Sequence, residues 1–371
     1  MKYYLVAGEA SGDLHGSNLM KALKEEDGEA EFRYYGGDLM QAVGGSLVKH
    51  YREMAFMGFI DVIANLRTIK RNMTICRNDI MLFKPDALIL IDYPGFNLRI
   101  AEYAHNSGVK TFYYIAPKVW ASRESRVNKI KKYVHKLFVI FPFEPEYFKQ
   151  KGIEVEYPGN PLMDSLAEFK RKNIDPSIIR TEFSPENKPL IALLCGSRKF
   201  EVRRCLPEMV TASLHFPGYQ FVVAGVTSVE KAEYQKILEG TTIKIVYNRT
   251  YELLQAACSA VVTSGTATLE TALFKVPQVV IYKIGHFTYR LGKLFVNIRF
   301  FSLVNIIAGR EVVKELLQFK LAGDIKKELS RILEDKVYYN KMLADYDEII
   351  LKLGKEGTSK RLAEKICELI N

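Results

Sequence analysis

The chain has 371 residues, 48% hydrophobic and 26% charged, a balance that excludes disordered and fibrous classes and exceeds what one hydrophobic core ordinarily supports, so two domains are expected. A net charge of +10 at pH 7 calls for an acidic partner, and with no helix-turn-helix, zinc-finger or RNP-type motif, nucleic acid is the least supported kind. Five cysteines without a Cys-x-x-Cys spacing argue against a disulfide framework or zinc site and for a reducing compartment.

Met1-Lys2 leads directly into Tyr-Tyr-Leu-Val-Ala, too short for a signal-peptide core and readable as a first strand. No uncharged apolar run approaches the roughly 20 residues of a membrane-spanning helix, so a cytoplasmic location is expected. Apolar runs predict strands over 3–8, 32–36, 87–92, 110–116, 136–141 and 154–157. A second series follows over 190–195, 219–224, 242–247, 259–263 and 278–283. Amphipathic segments alternate with them, for instance 14–25 with Leu14, Leu19, Met20 and Leu23 on one face. This alternation predicts an α/β protein with two Rossmann-like, doubly wound parallel sheets. Pro161, Pro176, Pro185 and Pro189 mark the connection, with domains over 1–165 and 189–340 and a linker over 166–188.

Ligands bind beyond the carboxyl ends of the strands in such sheets, so those ends hold the candidate site. After the first strand comes Ala7-Gly8-Glu9-Ala10-Ser11-Gly12-Asp13. Its glycines are spaced by four residues, unlike the dinucleotide fingerprint, which disfavours hydride transfer. Glu9, Ser11, Gly12 and Asp13 are candidates for the site, although carboxylates here would equally complement a helix dipole. Over 54–83, apolar residues interleave with Arg67, Lys70, Arg71 and Arg77. That pattern fits either an element lying on an anionic bilayer or a core-facing helix with a basic outer side. A second such stretch covers 286–301.

Asp92 closes a wholly apolar strand, where a carboxylate needs a task or a partner. Asn97 follows it and could meet a hydroxylated substrate, or could belong to an Asx-type turn at Pro94-Gly95. Trp120, the sole tryptophan, lies beside Lys118 and Arg123 and could stack a sugar or anchor the domain edge. The basic run from Arg123 to Lys132 reads as a solvated helix face. Ser197 and Arg198 follow the strand 190–195, Ser197 as a helix cap and Arg198 as a bidentate phosphate ligand.

The richest segment is Ser264-Gly265-Thr266-Ala267-Thr268-Leu269-Glu270. An apolar strand ends in a glycine turn with small hydroxyl residues and a helix start, which can present backbone N–H groups to a diphosphate. Gly265, Thr266 and Thr268 would line that turn, and Glu270 would accept hydrogen bonds from a sugar's vicinal hydroxyls. An ordinary capped junction is the alternative. Asn305, Arg310 and Glu311 flank an apolar loop in the manner of a site lining. Asp345-Tyr346-Asp347, the sole Asp-x-Asp, falls in an amphipathic helical pattern and reads as solvated surface, so no metal is expected.

Taken in order, Ala-Gly-Glu-Ala-Ser-Gly-Asp (7–13), Tyr-Tyr-Ile-Ala-Pro-Lys-Val-Trp-Ala (113–121), Pro-Phe-Glu (142–144), Gly-Ser-Arg (196–198), Ser-Gly-Thr-Ala-Thr-Leu-Glu (264–270) and Asn-Ile-Ile-Ala-Gly-Arg-Glu (305–311) resemble the lipid-A-disaccharide synthases. These are inverting GT-B glycosyltransferases. The resemblance implies two Rossmann-like domains facing a cleft, with segment 341–371 returning to a first, acceptor- and membrane-side domain and UDP-sugar held by the second. It implies transfer of 2,3-diacylglucosamine from UDP to 2,3-diacylglucosamine 1-phosphate, without a cofactor, by a protein peripheral to the inner membrane; it allows a homodimer. Leaving-group charge would fall to Arg198, Arg310 and the helix terminus near Gly265-Thr266. The family commonly reads Asp-x-Pro-Asp-Phe-Asn where this chain has Asp92-Tyr93-Pro94-Gly95-Phe96-Asn97. Gly95 thus replaces a favoured candidate base, which leaves Asp92 or Glu9 for that role. A UDP-N-acetylglucosamine 2-epimerase, a glycosyltransferase with a soluble acceptor, and a non-catalytic nucleotide-sugar or lipid-binding protein are the alternatives.

Overall fold

Short apolar runs rich in β-branched and aromatic residues become strands, and the amphipathic segments between them become the helices that cover both sheet faces. The structure, a computed structural model, describes residues 1–54, 65–120, 125–283, 299–318 and 320–370. Arg123 and most of the 286–301 stretch lie outside the described residues, as do 55–64 of the first hydrophobic-basic stretch. Two compact units form, Met1–Asp164 with Leu353–Asn371, and Ser165–Lys352.

In the first unit, the strands are β1 (Lys2–Ala7), β2 (Glu31–Gly36), β3 (Ser46–His50), β4 (Ala87–Ile91), β5 (Thr111–Tyr114), β6 (Lys136–Phe138) and β7 (Val155–Glu156). They pair in parallel in the order β3-β2-β1-β4-β5-β6-β7. Tyr3, Leu5 and Ala7 point into the core on one face, while Tyr4 and Val6 point into the core on the other. The closing helix Thr358–Ile370 completes the first of these cores with Leu362, Ala363 and Ile366. Asp164 fixes its start by accepting hydrogen bonds from the N–H groups of Gly357, Thr358 and Ser359 at 2.6, 3.1 and 3.0 Å.

The second unit carries β8 (Leu190–Leu194), β9 (Gln220–Gly225), β10 (Lys244–Tyr247), β11 (Ala257–Thr263), β12 (Gln278–Tyr282) and β13 (Glu315–Leu317). Their order is β10-β9-β8-β11-β12-β13, again parallel. Both sheets therefore reverse direction beside their first strand, between β1 and β4 and between β8 and β11. At such a switch point the connecting helices diverge and leave an open crevice at the carboxyl ends.

Several expectations change. β3 and β13 have no counterpart in the sequence reading, because both are short, half-buried edge strands without a clear alternation. The expected linker 166–188 is mostly helix, Pro161–Arg171 and Pro176–Phe183. Pro161 and Pro176 sit in first turns, where a missing N–H costs nothing, and Ile179 and Phe183 enter the core of the second unit. Only residues from Leu353 onward return to the first unit, rather than all of 341–371. Only part of the Asp-x-Asp at 345–347 is surface: Asp347 is exposed and pairs with Lys275, whereas Tyr346 is fully buried and Asp345 is buried against Arg310 and Lys341.

The helix Leu66–Phe83 buries Met73, Cys76 and Ile80 and turns Arg67, Lys70 and Arg71 outward. Its buried Asp79 pairs with Arg33 and accepts from the Tyr4 hydroxyl at 2.8 Å. Among the described residues no helix is long and apolar enough to cross a membrane.

Asp13 is an expected ligand contact that the fold uses differently. It is buried, and its carboxylate accepts from the N–H groups of Gly37, Leu39 and Met40 at 2.7, 3.0 and 3.1 Å. It thereby caps the helix Asp38–Val43, whose N-cap residue, Gly37, has no side chain to do so. Asp13→Ala is expected to cost about 1–3 kcal/mol in urea unfolding, the penalty for orphaned buried donors. An unchanged midpoint and slope would contradict the capping role.

Candidate active site

In the first unit the switch point brings the end of β1 beside the end of β4, with Ala7 paired to Ile91. The chain leaves β4 through two consecutive left-handed residues, Asp92 at φ 44° and Tyr93 at φ 46°. Non-glycine residues pay for this conformation, so it persists only where neighbours over-determine it. Here they do. The Asp92 N–H donates to the Tyr114 carbonyl at 3.0 Å, and its own carbonyl accepts from Asn97 at 2.8 Å and the Tyr113 hydroxyl at 2.6 Å. The Tyr93 ring lies where a Cβ on Gly8 would be, 2.3 Å away, and its hydroxyl donates to the Met54 carbonyl at 2.7 Å. Only glycine fits at position 8, directly after strand β1.

The result is a half-buried Asp92 carboxyl at the strand end. Burial, helped by the Glu9 carboxylate, pushes its pKa up to about 6, against the opposing pull of Lys118 and Arg126. Glu9 forms the cap position of the helix Ala10–Glu26 and accepts from the Ser11 hydroxyl at 2.8 Å. The fold thus unites Asp92, Glu9 and Ser11. Gly95, in the first turn of the helix Pro94–Asn106, is exposed, and a Cβ there would meet nothing within 4 Å.

Two neighbours expected to touch substrate serve the scaffold instead. Gly12 is buried, with its added Cβ 3.2 Å from that of Ala7, so it lets the helix approach the strand. Asn97 is fully buried and spends its amide N–H groups on the carbonyls of Val6, Ile91 and Asp92. An amide at that position ties both switch-point strands together. Trp120 is half-buried at the end of β5, where its indole N–H donates to Glu144 at 3.1 Å.

The second unit repeats the geometry. β8 and β11 pair with Leu194 opposite Val262, so the Gly196–Arg198 turn and the Ser264–Thr266 turn emerge side by side. Arg198 and Ser197 are exposed. Glu201 folds back to accept from the N–H groups of Ser197 and Arg198 at 2.9 and 3.2 Å. Gly196 at φ 102° makes room for it, since a Cβ would lie 2.4 Å from its carboxylate. The turn's backbone donors are therefore capped internally, and the exposed Arg198 guanidinium has one long contact, 3.5 Å, to the same Glu201 carboxylate. At the neighbouring turn Thr266 is exposed and Gly265 opens the helix Thr266–Leu273. Thr268, by contrast, is buried with its hydroxyl donating to the Gly265 carbonyl at 2.8 Å, so it shapes the turn rather than facing a ligand. Glu270 accepts from the Tyr251 hydroxyl at 3.0 Å, and burial raises its pKa.

The third segment departs most from expectation. Asn305 is fully buried; its carbonyl accepts from Val312 and Val313 N–H at 2.7 and 3.0 Å, and its amide donates to Val313 and Glu315. Arg310, partly exposed, is engaged by Asp345 and Glu348 at 2.9 and 2.6 Å. Glu311 is exposed and pairs with Lys314. Sequence reasoning assigned no role to Glu144, Tyr251 or Glu315. The available signal for Glu144 was a carboxylate three residues beyond the apolar run 136–141, at the end of Pro142-Phe143-Glu144.

Comparison with known proteins agrees with this geometry. A family model described as Lipid-A-disaccharide synthetase matches residues 3–367. A lipid-A-disaccharide synthase of Geobacter metallireducens is 37% identical, covering 99% of this chain and 96% of its own. One from Coxiella burnetii is 32% identical over 99% and 98%. Among solved structures, the UDP-GlcNAc 2-epimerase of Neisseria meningitidis bound to UDP-GlcNAc superposes with a TM-score of 0.71 at 13% identity, covering 99% and 100% of the two chains. A kitacinnamycin glycosyltransferase does so at 0.64 and 12%, covering 100% and 99%. These likenesses establish the GT-B fold.

The division between scaffold and surface polar groups has a measurable consequence. Asn97→Ala and Asn305→Ala each strand buried backbone groups, and are expected to cost about 2–3 kcal/mol in urea unfolding. Glu311→Ala should stay within about 0.5 kcal/mol of the unmodified protein. Equal effects at all three positions would refute the distinction.

Proposed function

The chain belongs to the lipid-A-disaccharide synthetase family, and on that premise we propose that its first unit carries the base and its second the leaving-group site of an inverting glycosyl transfer. The donor is UDP-2,3-diacylglucosamine and the acceptor 2,3-diacylglucosamine 1-phosphate. The products are the β-1,6-linked disaccharide 1-phosphate and UDP. The observation that carries the reading is Asp92, a carboxylate held at the switch point by a strained turn, with its proton affinity raised towards the working pH range.

The acceptor's 6-hydroxyl attacks the donor's anomeric carbon in line, the carbon–oxygen bond to UDP breaks, and the configuration inverts through an oxocarbenium-like state. The hydroxyl proton passes to the Asp92 carboxylate. Glu9 lies close enough to raise the proton affinity of Asp92 and supplies the second negative charge at this strand end. The developing charge on UDP falls to the exposed Arg198 guanidinium and to the N-terminal turn at Gly265–Thr266. The ribose hydroxyls meet the Glu270 carboxylate, which Tyr251 orients.

A base must be ionised to accept a proton, so turnover is expected to fall as pH drops through about 6, where Asp92 takes up its proton. Asp92→Asn should lower kcat by about 10²–10⁴-fold, with disaccharide formation followed by mass. The space around Gly95 permits a sharper experiment. Gly95→Asp should fold normally, and in the Asp92→Asn background it should restore part of the lost rate. Near-normal turnover of Asp92→Asn alone would eliminate Asp92 as the base.

The acylated substrates reside in a membrane, and we assign the outward face of the helix Leu66–Phe83 to an anionic bilayer. Leu66 is 47% exposed there beside Arg67, Lys70 and Arg71. Flotation with anionic vesicles should recover the protein at low salt and lose it as salt rises. Failure to float at low salt would remove this assignment.

A further inference from the structure

Directly after strand β5 stands another left-handed residue, Ile115 at φ 64°. For a β-branched side chain this is a genuine outlier, and its cost must be met by neighbouring contacts. The chain then makes a tight turn, with the Val119 N–H donating to the Pro117 carbonyl at 2.6 Å. The segment that follows from Ile115 bears Lys118, exposed, and Trp120, half-buried. Something must hold this strained segment.

The holding contacts come from the end of β6, the next strand in the sheet. Glu144 is buried, and its carboxylate accepts from the Ile140 N–H at 3.1 Å, the Phe141 N–H at 2.9 Å and the Trp120 indole N–H at 3.1 Å. Phe141 and Phe143 stack on each other at 5.7 Å, and the indole meets both edge-on at 6.3 and 5.2 Å. One carboxylate thus fastens the turn after β6 to the turn after β5. Lys118, two residues before Trp120, is attracted both to Glu144 and to Asp92 at the end of β4.

We propose that Glu144 is a positioning residue: by holding the Trp120 indole it keeps the strained 115–120 segment in place, and with it the Lys118 ammonium beside Asp92. The kinetic part rests on Asp92 being the base; the structural part does not. The groups facing Asp92 are Glu9 from the end of β1, Lys118 from the segment after β5, Arg126 from the helix Arg126–Tyr133, and the hydroxyl of Tyr113 on its backbone carbonyl. Facing Glu144 are Trp120, Lys118 and Tyr157. Of these, Lys118 lowers the proton affinity of both carboxylates, so displacing it leaves the effect of burial on Asp92 less opposed.

Trp120 is the sole tryptophan in the chain, so its fluorescence reports on the clamp without background. Glu144→Gln preserves volume and one acceptor oxygen; Glu144→Ala removes both. The emission of Trp120 is expected to shift to the red and become more accessible to acrylamide in the order unmodified, Gln, Ala, while far-UV circular dichroism stays native. In disaccharide assays the acid limb of the pH profile should move to higher pH, and kcat/KM should fall by about tenfold in Glu144→Ala, with Gln restoring part of it. Against a Trp120→Phe background the same substitutions should add little, because the interaction they break is already gone.

Unchanged emission and quenching in Glu144→Ala would overturn the proposal. So would fully additive effects of Glu144→Ala and Trp120→Phe, or a loss of thermal stability with no movement of the acid limb. If Glu144→Ala fails to fold, Glu144→Gln and the Trp120→Phe cycle decide the matter. Failure of the base assignment is seen separately, as near-normal turnover of Asp92→Asn, and leaves the fluorescence result standing.

Discussion

Parallel pairing of the first strand with the fourth in each sheet is the constraint on which the rest depends. Pairing β1 with β4, and β8 with β11, forces the connections on either side to leave in opposite directions. At such a switch point a crevice opens at the carboxyl ends of the strands, and the residues that follow those strands are placed at its edge. Glu9 and Asp92 meet for this reason, although 83 positions separate them (92 − 9). Arg198 and the Gly265–Thr266 turn emerge together by the same logic.

Bringing functional groups to strand ends places demands on the backbone. Asp92, Tyr93 and Ile115 all adopt left-handed conformations at the ends of the adjacent strands β4 and β5. Each such residue is held by buried polar partners rather than by apolar packing alone. Asn97 and Tyr113 fasten Asp92, and Glu144 fastens the segment that follows Ile115. Burial of these partners is what makes them effective, because a hydrogen bond in a low-dielectric interior is expensive to lose. The same burial raises the proton affinities of Asp92 and Glu144, the latter to about 7.

Much of the fold was legible in the residues. Wholly apolar runs such as Leu190–Leu194 have no reading other than a strand buried on both faces, and the alternation with amphipathic segments implies parallel sheets. Short edge strands such as Glu315–Leu317 escaped because three half-buried residues carry no periodic signal. Proline clusters misled in the opposite direction. Pro161 and Pro176 suggested a linker, yet at the first turn of a helix proline costs no hydrogen bond.

Within the site, the sequence determined which chemistry was on offer: a carboxylate after an apolar strand, an arginine after another, a glycine turn at a helix start. Those follow from local patterns, since strand ends and helix starts are set within a few residues. Which polar groups remain free was decided only by tertiary structure. Asp13, Asn97, Thr268, Asn305 and Arg310 looked as available as Ser11 and Arg198, but the fold engages them with backbone groups or opposite charges from elsewhere in the chain, whereas Ser11 and Arg198 stay exposed with only local contacts to Glu9 and Glu201. The physical reason is that a buried donor or acceptor must be satisfied, and its partner can come from any distance along the chain.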